Sequence, residues 1–368
     1  MTSIAIAAGG TGGHLMPAFA VADAIRSIEP GARISFVGTN RASEREMLAR
    51  AGERSHATAV RPVTKDLRGL SAPFALARAV GQARAALRAE GTRVVLGMGG
   101  YPSVPAMIAA RIARIPSILH EQNAVPGFAN EIAARFTRNV AVSFPEAVAA
   151  FRSASPAARL TGLPLRPAIA SFDRVALRAE AFAFFGLDPA RPVVLVFGGS
   201  LGARRLNDAA LECARRWDGK FQVLLVSGSA NAEVAARAGD ALRCVAFCER
   251  MELAYAAAEV AVCRAGASTV AELAATGTPS VLVPLPVARR KEQHANARVL
   301  ANAGGALAIE DRDADAARIA PLVEDLLGDD ARRASMAAAA RTVARPDAAF
   351  DVARWVLELG APDRAERA

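Results

Sequence analysis

Apolar residues recur along this chain in two textures. Some form short continuous runs of four or five, and others return at every third or fourth position. The first texture predicts strands buried on both faces, the second amphipathic helices. Their alternation over most of the 368 residues predicts an α/β fold built on parallel sheets. Strands are expected at 4–7, 33–37, 94–97, 117–120 and 140–143, and again at 193–197, 222–226, 243–247, 260–263 and 280–283.

The two halves echo each other. Ile4 to Ala7 runs into the loop GGTGGH and then into Ala18, Val21, Ile25 and Ile28 at helical spacing. Val193 to Phe197 runs into Gly198, Gly199, Ser200, Leu201 and Gly202, and then into Leu206, Ala209, Ala210, Cys213 and Trp217 on one helical face. A repeated strand, glycine loop and helix predicts two similar domains. Between them TGLPLRP, residues 161–167, places a glycine and two prolines where regular structure should break. The expected division is therefore 1–161 and 162–345, with a last helix at 347–359 after Pro346.

Composition narrows the class. With 52% hydrophobic positions the chain can fill two cores. No segment approaches the eighteen or so apolar residues that span a bilayer, and the first fifteen residues lack the pattern of a signal peptide, so a cytoplasmic protein is expected. Cys213, Cys244, Cys248 and Cys263 show neither CxxC pairing nor zinc-ligand spacing, and read as reduced, packed thiols. Net charge is +9, with only three lysines among the 45 basic residues. That excess favours an anionic partner, whether nucleic acid, a phosphate-bearing substrate or a membrane surface, without choosing among them.

The glycine loops carry the first chemistry. A glycine-rich turn between a parallel strand and a helix lets backbone N–H groups and the helix N-terminus approach phosphate or diphosphate. Neither loop has the lysine of a nucleotide-triphosphatase loop. A dinucleotide fingerprint fails too: Leu15 stands at the third glycine position, and Val37, Gly38 and Thr39 end the second strand without an acid. Nicotinamide chemistry is thereby disfavoured. His14, at the junction of loop and helix, is placed either to face a ligand or to bond local backbone.

Six stretches taken together resemble one family. GGTGGH at Gly9 to His14, GMGGY at Gly97 to Tyr101, HEQN at His120 to Asn123 with PGFAN at Pro126 to Asn130, GLPLR at Gly162 to Arg166, GGSLGARRLN at Gly198 to Asn207 and CRAGASTVAEL at Cys263 to Leu273 occur in the order and near the spacing of the MurG family. These are peptidoglycan glycosyltransferases that add N-acetylglucosamine to undecaprenyl-diphosphate-linked muramyl-pentapeptide, turning lipid I into lipid II. The resemblance implies the GT-B architecture: two Rossmann-like domains facing a cleft, the first for the lipid acceptor and the second for UDP-N-acetylglucosamine (UDP-GlcNAc), with the last helix, 346–360, returning to the first.

Residue by residue, the resemblance puts Arg166, Ser200 and the backbone around Gly199 at the UDP diphosphate, with Asn207 in the same motif. A guanidinium and a helix N-terminus suit a departing UDP dianion. The uracil is expected at the backbone near Cys248. Ala267, Ser268, Thr269, Val270, Ala271 and Glu272 open the helix beneath the nucleotide, and Glu272 accepts from the ribose hydroxyls, as a carboxylate can from two donors at once. Gln293 and Asn296 match the sugar-contacting segment, although Glu292 stands where the family carries Gln or His. In the first domain Thr11, Gly12, Gly13, His14, Gly99, Gly100, Tyr101 and Asn123 line the acceptor side, with His120 and Glu121 nearby.

The implied reaction is an inverting, metal-independent transfer with no cofactor. His14, or Glu121 in reserve, takes the proton from the acceptor's sugar hydroxyl. Asp311, Asp313 and Asp315 mimic a DxD metal motif but precede an Ala-rich helix, where aspartates cap and complement the dipole. A lipid acceptor implies peripheral attachment to the cytoplasmic face of the inner membrane, with anionic lipids and other cell-wall synthesis proteins as partners and no nucleic acid. The stretch from Leu67 to Leu87 offers a stripe of Leu76, Val80, Ala83 and Leu87 beside Arg68, Arg78, Arg84 and Arg88, with Leu70 and Phe74 leading in; it faces either the membrane or the core. Rival readings are another GT-B protein, such as a diacylglycerol galactosyltransferase or a UDP-GlcNAc 2-epimerase, and a catalytically silent recruiting module. HEQN with GGTGGH argues against the first, and retention of both motif sets against the second.

Overall fold

The computed structural model describes residues 1–9, 12–60, 72–151, 158–237, 241–286 and 290–361. The chain divides into two compact units, one of Met1–Arg166 with the segment from Pro346, the other of Pro167–Arg345. The break lies five residues beyond the expected one, at the far end of TGLPLRP. Thr161 and Gly162 still donate to the Val142 carbonyl, and the buried His120 donates to the Gly162 carbonyl at 3.0 Å, so GLPLR stays with the first sheet.

Unit one is a seven-stranded, wholly parallel sheet of β1 (Ser3–Ala7), β2 (Arg33–Thr39), β3 (Ser55–Thr58), β4 (Val94–Gly97), β5 (Ser117–Glu121), β6 (Asn139–Val142) and β7 (Arg159–Leu160), in the order β3-β2-β1-β4-β5-β6-β7. Ile4 pairs with Ile34 on one side and Val94 on the other. Successive side chains of β1 feed opposite cores, as period two demands: Ile4 and Ile6 join one cluster, Ala5 and Ala7 the other.

The first core is closed by the helices Gly12–Ile28 and Ala348–Gly360. Val352, Ala353, Trp355 and Val356 pack there, Arg93 donates to the Gly360 carbonyl at 3.0 Å, and the Arg159 guanidinium lies 4.3 Å over the Trp355 ring. The last helix is therefore part of the first unit's core, as the resemblance implied.

The second core settles the stripe. In the helix Ala72–Ala89, Ala83 and Leu87 are buried and Leu76 and Val80 pack against the same cluster, so the stripe faces the core and not a membrane. An amphipathic helix buries its apolar stripe wherever a sheet face offers a dry partner. Arg78, Arg84 and Arg88 stay exposed, as does Phe74 at 82%. Leu67, Arg68 and Leu70 lie outside the described residues.

Unit two is a six-stranded parallel sheet of β8 (Val193–Phe197), β9 (Gln222–Val226), β10 (Leu242–Val245), β11 (Val260–Cys263), β12 (Ser280–Leu282) and β13 (Ala306–Ala308), in the order β10-β9-β8-β11-β12-β13. Leu206, Ala209, Ala210, Cys213 and Trp217 of the helix Arg204–Trp217 all face its core, as their spacing predicted. The expected strands of both halves are present. Those not anticipated, β3, β7 and β13, all lie at a sheet edge, where a strand is half exposed and needs no apolar run.

Candidate functional site

In both sheets the strand order reverses beside the first strand, between β1 and β4 in unit one and between β8 and β11 in unit two. Helices leave neighbouring strands toward opposite faces at such a switch point, opening a crevice outside the strand C-termini where ligands bind. GGTGGH follows β1 and GMGGY follows β4; GGSLG follows β8 and RAGAS follows β11. Topology thus brings the glycine motifs of each half together in pairs.

In unit one His14 stands in the first turn of the helix Gly12–Ile28, partly exposed but with Nδ1 out of solvent. Its ring lies on Gly99, whose φ is +86° and where an added Cβ would meet Nδ1 at 3.0 Å, so glycine serves both the left-handed backbone and the imidazole. The Met98 backbone and the Gln122 side chain act on His14 to favour its protonated form, yet its Nδ1 meets no hydrogen-bond partner among the described residues; Gln122 Nε2 donates to the Met98 carbonyl at 3.2 Å. Burial nevertheless holds the imidazole below its usual pKa. The helix N-terminus acts in the same sense by disfavouring a cation. At neutral pH His14 is an uncharged acceptor of protons.

HEQN sits at the end of β5. His120 is fully buried, and burial, with His14 close by, lowers its pKa to about 4. It is a neutral structural donor to Gly162. The Glu121 carboxylate, 1% exposed, accepts from Asn123 N at 2.8 Å, Asn123 Nδ2 at 3.3 Å, Gly127 N at 3.0 Å and Asn130 Nδ2 at 2.9 Å. Burial raises its pKa and these four donors oppose the rise. A carboxylate bonded this way ties the 122–127 loop to the helix Phe128–Ala133 and presents Asn123, which is partly exposed. Tyr101, 40% exposed, begins the turn after β4. Gly12 and Gly13 open the first helix; Thr11 lies outside the described residues.

Sequence reasoning missed Glu44. It rises from the helix Ala42–Arg50, is 1% exposed, and accepts from Thr39 N and from Thr39 Oγ1 at 2.8 Å at the end of β2. An added Cβ at Gly9 would meet its Oε2 at 2.6 Å. An acid therefore does reach the end of the second strand, but from the next helix and wedged beneath the first glycine loop. No apolar pattern marks it, because only the fold brings it there.

In unit two the loop after β8 leaves Ser200 and Leu201 exposed. It is braced from behind: Asn231 Nδ2 donates to the Leu201 carbonyl at 2.9 Å, and Gly202 meets the Ser227–Gly228 backbone too closely for a Cβ on either glycine. The helix Arg204–Trp217 then begins at Ala203 with no side-chain cap, and the helix Ala267–Thr276 begins at Gly266 in the same way. Two helix N-termini without side-chain caps, leaving adjacent strands, suit a diphosphate.

Ser268, Thr269, Ala271 and Glu272 are partly exposed, whereas Ala267 and Val270 are buried on the core side of their helix. Cys248 is buried, compatible with a backbone contact there, and the neighbouring Phe247 is 57% exposed. Arg166 is partly exposed and falls within unit one.

Two expected contacts need correction. Asn207, 1% exposed, donates to the Ser227 carbonyl at 3.0 Å, and Asn296, fully buried, donates to the Ala265 carbonyl at 3.2 Å. Both brace loops rather than reach a ligand, because a small amide on the inner face of a helix satisfies a buried carbonyl. Gln293 Oε1 accepts from Leu285 N at 2.9 Å, which ties it to the 283–286 loop. Glu292 accepts from Arg290 N at 3.1 Å.

The aspartates after β13 divide by role. Asp315 caps the helix Ala316–Leu327 by accepting from Arg318 N, as expected, while Asp311 pairs with Arg264 at 2.7 Å and Arg205 at 3.4 Å. The four cysteines are free; burial pushes the Cys213 thiol up to about 12 and raises Cys263 further. Among the described residues no helix is long and apolar enough to cross a membrane.

Residues 4–142 match the glycosyltransferase family 28 N-terminal domain and residues 193–352 the glycosyltransferase family 28 C-terminal domain. A protein of Nocardioides sp., named UDP-N-acetylglucosamine-N-acetylmuramyl-(pentapeptide) pyrophosphoryl-undecaprenol N-acetylglucosamine transferase, is 44% identical over 97% of this chain and 98% of its own length. The protein of the same name from Mycolicibacterium vanbaalenii is 41% identical over 97% of this chain and 90% of its own. Among solved structures, Acinetobacter baumannii MurG superposes with a TM-score of 0.76 at 28% identity, covering 97% of this chain and all of that one. The Neisseria meningitidis UDP-GlcNAc 2-epimerase, at TM-score 0.67 and 11% identity over 97% of this chain and 100% of its own, shares the fold alone. With both domain matches in order and the motifs gathered at both switch points, the chain belongs to glycosyltransferase family 28 and groups with its MurG-type members.

Proposed function

We propose that this protein transfers N-acetylglucosamine from UDP-GlcNAc to lipid I, forming lipid II, with the acceptor on unit one and the nucleotide on unit two. The observation that carries the reading is His14: a neutral, partly exposed imidazole at the β1/β4 switch point, packed on Gly99 within a family 28 N-terminal domain. As the acceptor's sugar hydroxyl attacks the anomeric carbon, its proton passes to His14, the bond from that carbon to the UDP oxygen breaks, and configuration inverts. Charge building on UDP is met by Arg166, Ser200 and the two helix N-termini of unit two. Glu272 binds the ribose, the backbone at Cys248 the uracil, and Gln293 the sugar. Thr11, Gly12, Gly13, Tyr101 and Asn123 hold the acceptor, and Glu121 positions Asn123.

The protein works as a peripheral component on the cytoplasmic face of the inner membrane. Supporting this, Phe74 stands 82% exposed one helical turn before the exposed Arg78, an apolar anchor beside a cation at the start of a helix. The test is transfer of radiolabelled N-acetylglucosamine to a short-chain lipid I analogue. A labelled disaccharide lipid is expected; epimerisation of UDP-GlcNAc without transfer would overturn the proposal.

A further inference from the structure

The residue proposed for the ribose, Glu272, does not stand alone. Tyr255, in the helix Met251–Ala257, is the largest fully buried side chain among the described residues, and its phenol donates to Glu272 Oε2 at 2.8 Å. A buried phenol must find a partner, and here the partner is a partly exposed carboxylate. The same ring packs edge-on against Phe197, with centroids 6.1 Å apart and planes at 78°. Phe197 is the last residue of β8 and leads directly into Gly198, Gly199 and Ser200. Tyr255 thus lies under both halves of the nucleotide site, its ring behind the diphosphate loop and its hydroxyl behind the ribose acid.

We infer that Tyr255 is a positioning residue for the donor: its hydroxyl fixes the Glu272 carboxylate so that the oxygens are aimed at the ribose before UDP-GlcNAc arrives. The inference rests on the reading of Glu272 as the ribose acid. A carboxylate on a free side chain must lose rotamer freedom when it takes a diol, and a buried phenol removes that cost in advance. A carboxylate has about four lone-pair sites, so the bond from Tyr255 engages only one of them. Nothing reacts at Tyr255, so its effect falls on donor binding and not on the chemical step.

The experiment compares Glu272→Gln, Tyr255→Phe and the double variant. Tyr255→Phe keeps the ring and its Phe197 contact, and thermal unfolding followed by circular dichroism establishes that the variant is folded. It is expected to raise the donor KM and the UDP Kd by about three- to ten-fold, the effect of one hydrogen bond, with kcat within about two-fold of wild type and acceptor KM unchanged. In the Glu272→Gln background the same change is expected to add nothing. The penalty for a UDP analogue lacking a ribose hydroxyl is expected to be smaller in Tyr255→Phe than in wild type, a difference that a merely structural tyrosine would not produce. If Glu272→Gln raises donor KM and a folded Tyr255→Phe leaves both KM and analogue discrimination unchanged, the inference is wrong while the ribose assignment stands. If Glu272→Gln itself leaves donor KM unchanged, both fall.

Discussion

At the residue scale, the acids and bases of unit one separate by what their atoms already touch. His14 is partly exposed and neutral; Glu121 meets four donors from the loop and helix that follow it; His120 is fully buried against Gly162. His14→Ala is expected to lower kcat by about 10² to 10⁴, with donor Kd measured by calorimetry close to wild type. Because the folded protein holds His14 below its usual pKa, activity should fall only as pH drops below the ordinary histidine range, and that acidic limb should vanish in the variant. Glu121→Gln separates the roles. Exchanging a carboxylate for an amide puts an NH₂ among N–H donors, so acceptor KM should rise and kcat fall while the acidic limb stays in place. Loss of that limb in Glu121→Gln instead would make Glu121 the base. The glycine loop and the HEQN motif were legible in sequence, but which of their side chains was committed to a loop was not. For His120 that commitment depends on Gly162, 42 positions on, which strand register brings to it, and for Glu121 it depends on how the following turn folds back.

At the element scale, periodicity located the helix Ala72–Ala89 but left its apolar stripe two destinations, since a bilayer and a sheet face satisfy the same spacing. Packing selects the sheet, and that selection divides the mutational outcome. Leu76→Ser and Val80→Ser, at positions packed on the core, are expected to lower the melting temperature, at a cost of about 1 to 3 kcal/mol each. Phe74→Ser should leave stability within about 0.5 kcal/mol because the ring is already in solvent. It should weaken sedimentation with vesicles containing anionic lipid. Unchanged vesicle binding in a folded Phe74→Ser protein would remove Phe74 as the anchor. The edge strands β3, β7 and β13 escaped the pattern for a related reason: with one neighbour only, SHAT, RL and ALA need little hydrophobicity to pair.

At the scale of the whole molecule, the chain leaves unit one at Arg166, builds unit two, and returns at Pro346 to complete the core it left. Trp355, 5% exposed and covered by Arg159, is the bulkiest contact of that return. Trp355→Ala should destabilise unit one by about 3 to 5 kcal/mol through the cavity it leaves. Unit two has its own sheet and core, so donor binding by the folded fraction should be little changed. The measurement is a two-probe thermal melt, with far-UV circular dichroism set against the temperature at which UDP binding is lost. A single transition shifted equally for both probes would show that the units unfold as one.

Local physics accounts for what the sequence by itself determined. Runs such as IAIA and VVLVF must be strands buried on both faces, glycine loops after them must turn sharply toward helix N-termini, and the motif order places the chain in its family. The tertiary structure decided what depends on neighbours distant in the chain: the burial of the Leu76 stripe, the arrival of Glu44 beneath the first glycine loop, the diversion of Asn207 and Asn296 to backbone carbonyls, and the phenol of Tyr255 behind Glu272. Side-chain type states what a residue can bond. Which partner it meets is set by strand order and helix packing, which bring Tyr255 to Glu272, 17 positions on, and Asn296 to Ala265, 31 positions back, within 3 Å or so.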